Sequence, residues 1–501
     1  MNRFAAIMLS MILVLSLAAC GGTAGGFSSE PERAASSQED VSLIGTVSGE
    51  ITISTYDTLQ SKAFLEDAAR LFMEQYPEAT VNVETFSAMP EIKTSEQGNQ
   101  RMQMIQIQDD PQGRQDYINK TSTALMSGEG ADILAMDVLP LYKYVESGQL
   151  ENLAEYMEAD PEFNRDDYRG NILDAIQYKG GTWFIPIDYT FDYYAYDSTL
   201  IPPDSAAFGT GESFNMQDLI EFAQPSFDGS SKLFSLIDYT GGPGGDLWSR
   251  LLSEHYDSIV DLESKTANFN DGAFAALLER IRQYSEQGYI SKRVTGQADP
   301  GMMMRQSGEA PTERVYFKPK NVFNLLSLFT RDLGMRMAVM AEGGTMAIGD
   351  DDEIAGIASN TDGSVPFTYE QAYSINASSD NKETAWMFIK FLLSEEMQLN
   401  TNLRPTALPL RNSAREKKAE TVMTGAMGQQ GESPSDELLQ ALDRYNQAVE
   451  ELSGQINDYL FEDTVVNDMI AAEVAYFFDG SKTADEVANA LQSKVSLYLN
   501  E

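Results

Sequence analysis

The spacing of apolar residues near the start of the chain changes from a period of two to a helical period and back. Ile51–Tyr56 alternates apolar and polar residues and predicts a strand, and Thr80–Phe86 repeats that alternation. Between them, Lys62–Tyr76 places its apolar side chains on one helical stripe, which Pro77 ends. This order of elements is a βαβ unit and predicts a parallel sheet.

A polar segment interrupts the pattern before further strands follow. Met89–Gln115 is rich in Gln and Met and fits neither period, so it is interpreted as an insertion ahead of a helix over Tyr117–Met126. Ala131–Met136 predicts a buried strand that ends at Asp137. Other predicted strands are Gly181–Ile187, Thr190–Tyr196, Met335–Met340 and Gln371–Ile375.

Helical periodicity dominates after residue 201. Thr483 and Glu486 form a capping-box pattern at the start of the last predicted helix. The predicted helices are Phe214–Ala223, Asp246–Glu254, Gly272–Gln287, Val322–Arg331, Glu383–Leu393, Asp436–Leu452, Asp463–Phe478 and Ala484–Leu499. The chain has predicted strands in its first part, predicted helices in its last part and βα units throughout. This order of elements predicts the α/β class.

The N-terminus carries an export signal. Arg3 precedes the apolar run Phe4–Leu17, which is shorter than the ~20 residues of a membrane-spanning helix. Residues 1–19 are therefore predicted to be a signal peptide. The sequence Leu17-Ala-Ala-Cys20 resembles the bacterial lipobox, which implies cleavage before Cys20 and lipid attachment to that residue. Residues 20–45 are rich in Gly, Ser and Ala and predict a flexible tether.

Composition excludes several classes of function. The chain has 77 acidic and 35 basic residues, a formal charge of −42, and so lacks the basic footprint that nucleic-acid binding needs. Gly241–Gly245 lacks the Lys-Ser/Thr of a phosphate loop. A single His, His255, and a single Cys make zinc improbable. We expect no cofactor, no metal and no enzymatic activity.

Candidate binding residues stand where strands end. Ligands of open parallel sheets bind beyond the carboxyl ends of the strands. Tyr56 and Asp57 end the first predicted strand, and Asp137 follows the buried one. A purely structural role is the alternative for each of these residues. Tyr56 and Asp57 would then form a strand-end turn, and Asp137 would be the N-cap of the helix that follows.

Aromatic and acidic residues concentrate in the run 188–194. Asp188, Tyr189 and Phe191 are the candidates there, because the family resemblance given below implies that this run crosses between two lobes beside the ligand, and alternation along a strand sends half of the side chains to that side. Trp248, after the Gly-rich segment, and Tyr369, before a strand, are predicted to add aromatic surface. Aromatic faces with carboxylate acceptors suit the apolar ring faces and hydroxyl rims of sugars.

Several short sequence segments follow one another in a characteristic order along the chain. In the first, a helix ends at Pro77 and a Val-rich strand follows, and in the second, a turn of small residues precedes a strand and Asp137. The segments are Phe72–Glu84, Ala124–Asp137, Gly148–Leu153, Gly181–Asp188, Ala267–Ile290, Tyr373–Gln398 and Thr406–Arg411. In this order they resemble the family 1 extracellular solute-binding proteins, the maltodextrin-type sugar binders of ABC importers.

The resemblance implies a two-lobed, periplasmic-binding-protein-like fold of type II. The N-terminal lobe would hold residues 46–188 plus 373–430, and the C-terminal lobe 189–372 plus 431–501. It further implies a monomer that captures a carbohydrate, an oligosaccharide, between the lobes and delivers it to an ABC permease. Two alternatives stay open: a secreted glycoside hydrolase using a carboxylate pair such as Asp188 with Asp137, and a binder of another solute such as a peptide.

Overall fold

The computed structural model describes residues 47–56, 61–86, 92–97, 100–105, 111–201, 207–227, 229, 231–234, 247–289, 315–333, 351–400, 407–428 and 434–500, with only the backbone at 92–105, 111, 247–249 and 424–428. The strands are β1 Gly49–Tyr56, β2 Ala79–Phe86, β3 Ile92–Gln97, β4 Gln100–Ile105, β5 Ile133–Ala135, β6 Ile185–Pro186, β7 Asp188–Tyr189, β8 Asp192–Asp197, β9 Ser213–Phe214, β10 Lys232–Phe234, β11 Val260–Asp261, β12 Thr266–Ala267, β13 Val315–Asn321, β14 Asp352–Ala358, β15 Pro366–Phe367, β16 Ala372–Ile375, β17 Leu408–Pro409 and β18 Asp458–Tyr459.

Helices flank these strands and close the chain. They are α1 Ser61–Gln75, α2 Pro111–Ser127, α3 Leu141–Glu146, α4 Leu153–Ala159, α5 Gly170–Ala175, α6 Met216–Ala223, α7 Leu247–Ser253, α8 Tyr256–Ile259, α9 Ala273–Glu286, α10 Val322–Thr330, α11 Lys382–Leu392, α12 Glu395–Gln398, α13 Asn412–Gly428, α14 Asp436–Ser453, α15 Thr464–Phe478 and α16 Ala484–Leu499. The predicted capping box at Thr483 and Glu486 is confirmed.

The first sheet has the strand order β2-β1-β5-β16-β6 among the described residues. β1 lies parallel to β2 and β5, as the βαβ pattern predicts, whereas β16 runs antiparallel to β5 and β6. Because β16 is reversed, its first residue lies at the same edge as the last residues of β1, β2, β5 and β6. This edge is called the carboxyl edge of the first sheet.

The second sheet has the order β10-β13-β8-β14-β9 among the described residues. β8 runs antiparallel to β13 and β14, while β10 lies parallel to β13 and β9 parallel to β14. The start of β8 therefore meets the ends of β13 and β14, with Asp192 paired to Asn321. This edge is called the carboxyl edge of the second sheet.

Two short crossovers join the carboxyl edges of the two sheets. The first crossover, Ile187–Phe191, leads from β6 to β8, and the second, residues 359–371, leads from β14 to β16. They pair with each other through Thr190 and Thr368, whose backbone groups exchange hydrogen bonds of 2.7 and 2.9 Å. The α/β class is thus confirmed, and the carboxyl edges are the parts of the two sheets that the crossovers bring together.

Helix boundaries follow the predicted hydrophobic stripes closely. Trp386 is fully buried on α11, and its indole donates to Asp160 at 3.0 Å. Among the elements that were not predicted from the sequence are β13 Val315–Asn321, β14 Asp352–Ala358 and α13 Asn412–Gly428. Smaller differences lie in two further segments. α2 begins at Pro111, inside the predicted insertion, and strand β6 covers only Ile185–Pro186 of the predicted run. The predicted strand Met335–Met340 lies outside the described residues.

Within the described parts of the chain, no helix combines the length and apolar character needed to span a membrane.

Candidate ligand-binding site

An aromatic platform stands at the carboxyl edge of the first sheet. Tyr56 and Phe86 are paired neighbours at the ends of β1 and β2, and their rings stack with centroids 6.2 Å apart. The buried ring of Tyr117, from α2, lies 5.7 Å from both. Tyr56 and Phe86 are only partly buried, so this pair presents aromatic surface at the edge where ligands of such sheets bind.

Two carboxyl groups belong to the same edge. Asp137 follows β5 and is partly exposed, whereas Asp188 follows β6 and is buried. Asp188 Oδ1 accepts hydrogen bonds from the backbone N–H groups of Glu370 at 2.8 Å and Gln371 at 3.2 Å. Its Oδ2 is buried and has no hydrogen-bond partner. Burial, with the nearby charges of Glu370 and Asp137, raises the pKa of Asp188 to about 8.

A second aromatic group extends the site towards the C-terminal part of the chain. Tyr369, on the second crossover, stacks on Tyr459 with centroids 5.5 Å apart and an interplanar angle of 15°. Phe184 lies 5.4 Å from both rings. The hydroxyl of Tyr369 donates to the backbone oxygen of Met136 at 3.4 Å, which holds the ring beside Asp137.

The carboxyl edge of the second sheet carries a charged network. Arg250, on α7, donates to Asp192 at 2.7 Å and to the hydroxyl of Tyr194 at 3.2 Å. Tyr194 in turn donates to the buried Glu254 at 2.8 Å, and Glu254 also accepts from the backbone N–H of Met216. Burial raises the pKa of Glu254 to about 7. The side chains of Arg250 and Asp192 remain 21% and 39% exposed, so this pair is the accessible end of the network.

Asn321 completes the polar surface of that edge. Its side-chain amide donates to the hydroxyl of Thr190 at 2.6 Å and to Asp192 at 3.2 Å. Its amide oxygen accepts from the N–H of Phe323 and caps α10. The cap fixes the orientation of the amide next to the first crossover.

Contacts also join helices beside the first sheet to the last two helices of the chain. Arg114, near the start of α2, donates from Nη2 to both carboxylate oxygens of Asp468 on α15 at 2.9 Å. The ammonium of Lys143 on α3 lies 3.7 Å from the ring centroid of Tyr498 on α16. α2 and α3 adjoin β5 of the first sheet along the chain, while α16 packs on α15 and on α9. These contacts hold the two halves of the molecule in the conformation seen here.

The structure brings some of the predicted residues together. Tyr56, Asp137, Asp188 and Tyr369 all lie at the carboxyl edge of the first sheet, and for Tyr56 and Asp137 this is the edge to which the strand-end rule assigns them. Their contact with a ligand stays a prediction.

Other predicted site residues have different surroundings. Tyr189 and Phe191 are buried, so their contact with a ligand also stays a prediction. Asp57 and Cys20 lie outside the described residues, and Trp248 lies on α7 where only the backbone is described.

Sequence reasoning missed Phe86, Tyr459, Arg250 and Asn321. Phe86 ends the strand beside that of Tyr56, so the rule used for Tyr56 would have found it. The other three were out of reach of that rule: Tyr459 lies between two helices, Arg250 is within one, and Asn321 ends β13, a strand that was not predicted. Only the meeting of distant segments gives them a place in the site.

The described residues hold no group of three or more His, Cys, Asp or Glu side chains arranged to bind a metal ion.

Comparison with known proteins places this geometry in a recognised fold. No protein-family model matches the chain, and no curated protein matches it. Among solved structures, an ABC substrate-binding protein from Listeria monocytogenes in complex with cycloalternan is 16% identical, with a TM-score of 0.51, covering 90% of this chain and 99% of that one.

Two further structures agree with this match. A family 1 extracellular solute-binding protein from Alicyclobacillus acidocaldarius is 15% identical, with a TM-score of 0.51, covering 91% of this chain and 100% of that one. A maltose-bound protein from T. maritima is 15% identical, with a TM-score of 0.50, covering 90% and 99%. At these identities the comparison shows the fold, and the chain therefore has the two-lobed α/β fold of the extracellular solute-binding proteins.

Proposed function

We propose that this chain is the extracytoplasmic binding subunit of an ABC importer and captures a carbohydrate between its two lobes. The observation that carries the proposal is the composition of the carboxyl edge of the first sheet. The aromatic platform of Tyr56 and Phe86 lies at the same edge as Asp137 and as Tyr369, which stacks on Tyr459. Flat aromatic surface matches the apolar faces of a sugar ring, and carboxyl groups accept hydrogen bonds from its hydroxyls.

The fold supports the same class of ligand. Proteins of this fold have been solved with cycloalternan and with maltose. In this chain the facing edge supplies Arg250, Asp192 and Asn321, which offer donors and acceptors to a solute held on the platform. A solute that touches both edges favours the closed arrangement over the open one, because it interacts more strongly with the closed state.

The lobes we propose are residues 46–188 plus 373–430 and residues 189–372 plus 431–501. The strands of the first sheet fall in the first set, apart from Ala372 at the start of β16, and those of the second sheet fall in the second set. The crossovers Ile187–Phe191 and 359–371 would form the hinge.

We further propose that the mature protein begins at a lipidated Cys20 and is held on the outer face of the cell membrane as a monomer. Expression of the wild type and of Cys20→Ser in a bacterial host, followed by membrane fractionation and labelling with a palmitate analogue, tests this anchor. The wild type should label and sediment with membranes, whereas Cys20→Ser should do neither. Labelling of the variant would refute the anchor.

Calorimetry and thermal shift with a panel of neutral and acidic oligosaccharides test the binding function, with chromatography of each mixture for product. The melting temperature of the protein should rise, since a ligand at a hundred times its Kd adds about 2.7 kcal/mol of stability. The sugar should remain intact. Cleavage would favour the hydrolase alternative, whose carboxylate pair would be Asp137 and Asp188. Binding of peptides in place of sugars would favour the other alternative.

A further inference from the structure

Helix α13 buries two basic side chains on one face, and among the described residues only one of them forms an ion pair. Arg415 and Lys418 are 7% exposed, and they lie one turn apart. Arg415 forms an ion pair with Glu450 at 2.7 Å. Lys418 has neither a hydrogen bond nor an ion pair to any part of the chain that the structure describes. Little of the residue reaches solvent, and the partial desolvation of its ammonium group has a cost that an opposite charge would offset.

The nearest carboxyl group does not supply that compensation at neutral pH. Asp188 is the charge that acts on Lys418, but the two side chains form no ion pair among the described residues. Burial raises the pKa of Asp188 to about 8, so its carboxyl group is mostly protonated at pH 7. Burial also lowers the pKa of Lys418, the direction expected for a cation that lacks a counter-charge.

A pocket adjoins Lys418 and enters the hinge region. It is small, about 20 Å³, which is room for about one water molecule, and Val322, Phe323, Leu408 and Tyr445 contribute to its lining. Val322 donates its N–H to the backbone oxygen of Phe191, and Leu408 pairs with Tyr189. The pocket is thus built on the first crossover, which begins at the carboxyl edge of the first sheet.

We propose that Lys418 is a specificity-determining residue that binds a carboxylate of the ligand, so that the solute is a uronic-acid-containing oligosaccharide. The inference rests on the proposed function and narrows its class of substrate. A carboxylate in the pocket would form a charge-assisted hydrogen bond with the ammonium. The apolar lining, from α10 and the segment at residues 407–408, would exclude water from that bond. A neutral sugar could not supply the missing counter-charge.

The experiment compares Lys418→Met with Lys417→Met. Lys417 is the adjacent residue, is 55% exposed and pairs with Glu395, so its loss removes the same charge from the same helix without touching the pocket. Calorimetry would measure binding of uronate oligosaccharides, of their methyl esters and of neutral oligosaccharides to the wild type and to both variants. The melting temperature of each ligand-free protein would be recorded as well.

We expect the wild type to prefer a uronate oligosaccharide over its methyl ester by at least tenfold. Lys418→Met should abolish that preference and raise the melting temperature of the ligand-free protein, because it removes a buried cation. Lys417→Met should do neither. Lys418→Gln, which keeps a hydrogen-bond donor without the charge, serves as a second variant if Lys418→Met fails to fold.

Three results would overturn the inference. They are equal affinity for uronates and their esters, binding of neutral oligosaccharides alone, and an unchanged preference in the Lys418 variants. In each of these the protein still binds carbohydrate, so the proposed function survives. Failure of the whole panel, neutral and acidic, would instead refute the proposed function and this inference together.

Discussion

The carboxyl group of Asp188 accepts the backbone N–H of Glu370 at 2.8 Å, so a side chain on the first crossover holds the backbone of the second. The same oxygen accepts the N–H of Gln371 at 3.2 Å. Both crossovers join the two sheets, and rotation about them is what opens or closes a two-lobed protein. This buried acceptor therefore acts together with the backbone pairing of Thr190 and Thr368 to hold the two crossovers against each other.

Removing this acceptor should destabilise the protein. Asp188→Ala leaves two backbone N–H groups without their acceptor, which we expect to lower the free energy of unfolding by about 1–3 kcal/mol. Asp188→Asn keeps an amide oxygen at the same position and should lose much less. Urea denaturation at pH 6 measures both. Equal losses in the two variants would show that the hydrogen bonds to Glu370 and Gln371 are not the source of the effect.

The raised pKa of Asp188 predicts a pH dependence of stability. A pKa of about 8 in the folded state exceeds the ~3.9 of an unfolded Asp, so the folded protein holds this proton more tightly. Stability is then lost as pH rises from about 4 through 8. Burial and the carboxyl groups of Glu370 and Asp137 raise the pKa of Asp188. Lys418 is the cation that interacts electrostatically with Asp188.

Asparagine cannot ionise, so Asp188→Asn should not share this loss of stability. The free energy of unfolding of Asp188→Asn, minus that of the wild type, should therefore increase between pH 5 and pH 9. Urea titrations at pH 5, 7 and 9 give the difference, in which the titration of other groups such as Glu254 largely cancels. A difference that stays constant with pH would contradict the assignment of the shifted pKa to Asp188.

The aromatic platform predicts a loss of affinity without loss of fold. Tyr56→Ala removes the partly exposed ring that stacks on Phe86, and with it the flat apolar surface on which the face of a sugar ring would pack. We expect Kd to rise about tenfold or more in calorimetry. Tyr476→Ala, which removes a 44% exposed Tyr near the far end of α15, is the control and should leave Kd unchanged. Equal effects of the two substitutions on Kd would show that the aromatic platform is not part of the ligand-binding site.

The ion pair between Arg114 and Asp468 should favour the closed arrangement. Its side chains are 17% and 43% exposed, so salt screens it only in part, and a coupling of about 0.5–1 kcal/mol is expected. Arg114→Met and Asp468→Asn should each weaken ligand binding two- to fivefold. Because both remove the same contact, the double variant should be no weaker than the single ones. Full additivity in this double-mutant cycle would show that the two residues act independently.

Much of the first sheet was predictable from the sequence. The alternation over Ile51–Tyr56 and Thr80–Phe86, with a helix between them, is local information, because it reflects which side chains the core buries. The rule that ligands bind beyond the carboxyl ends of parallel strands then located Tyr56 and Asp137 at one edge. α2 was predicted too short, since the polar residues after Pro111 face outward and carry no apolar stripe.

What the sequence by itself determined is the first βαβ unit, most of the helices and several strand ends that bear polar and aromatic residues, because the hydrophobic period is local information. Only the tertiary structure decided the order of the strands and which distant side chains meet, such as Tyr369 with Tyr459 and Arg250 with Asp192. It also left Lys418 without an ion pair among the described residues, beside the carboxyl group of Asp188. The physical reason is that burial and pairing depend on crossovers and packed helices that bring segments hundreds of residues apart into contact. The charge of a buried group depends on that environment, so Asp188 and Lys418 gained their unusual character only in the folded chain.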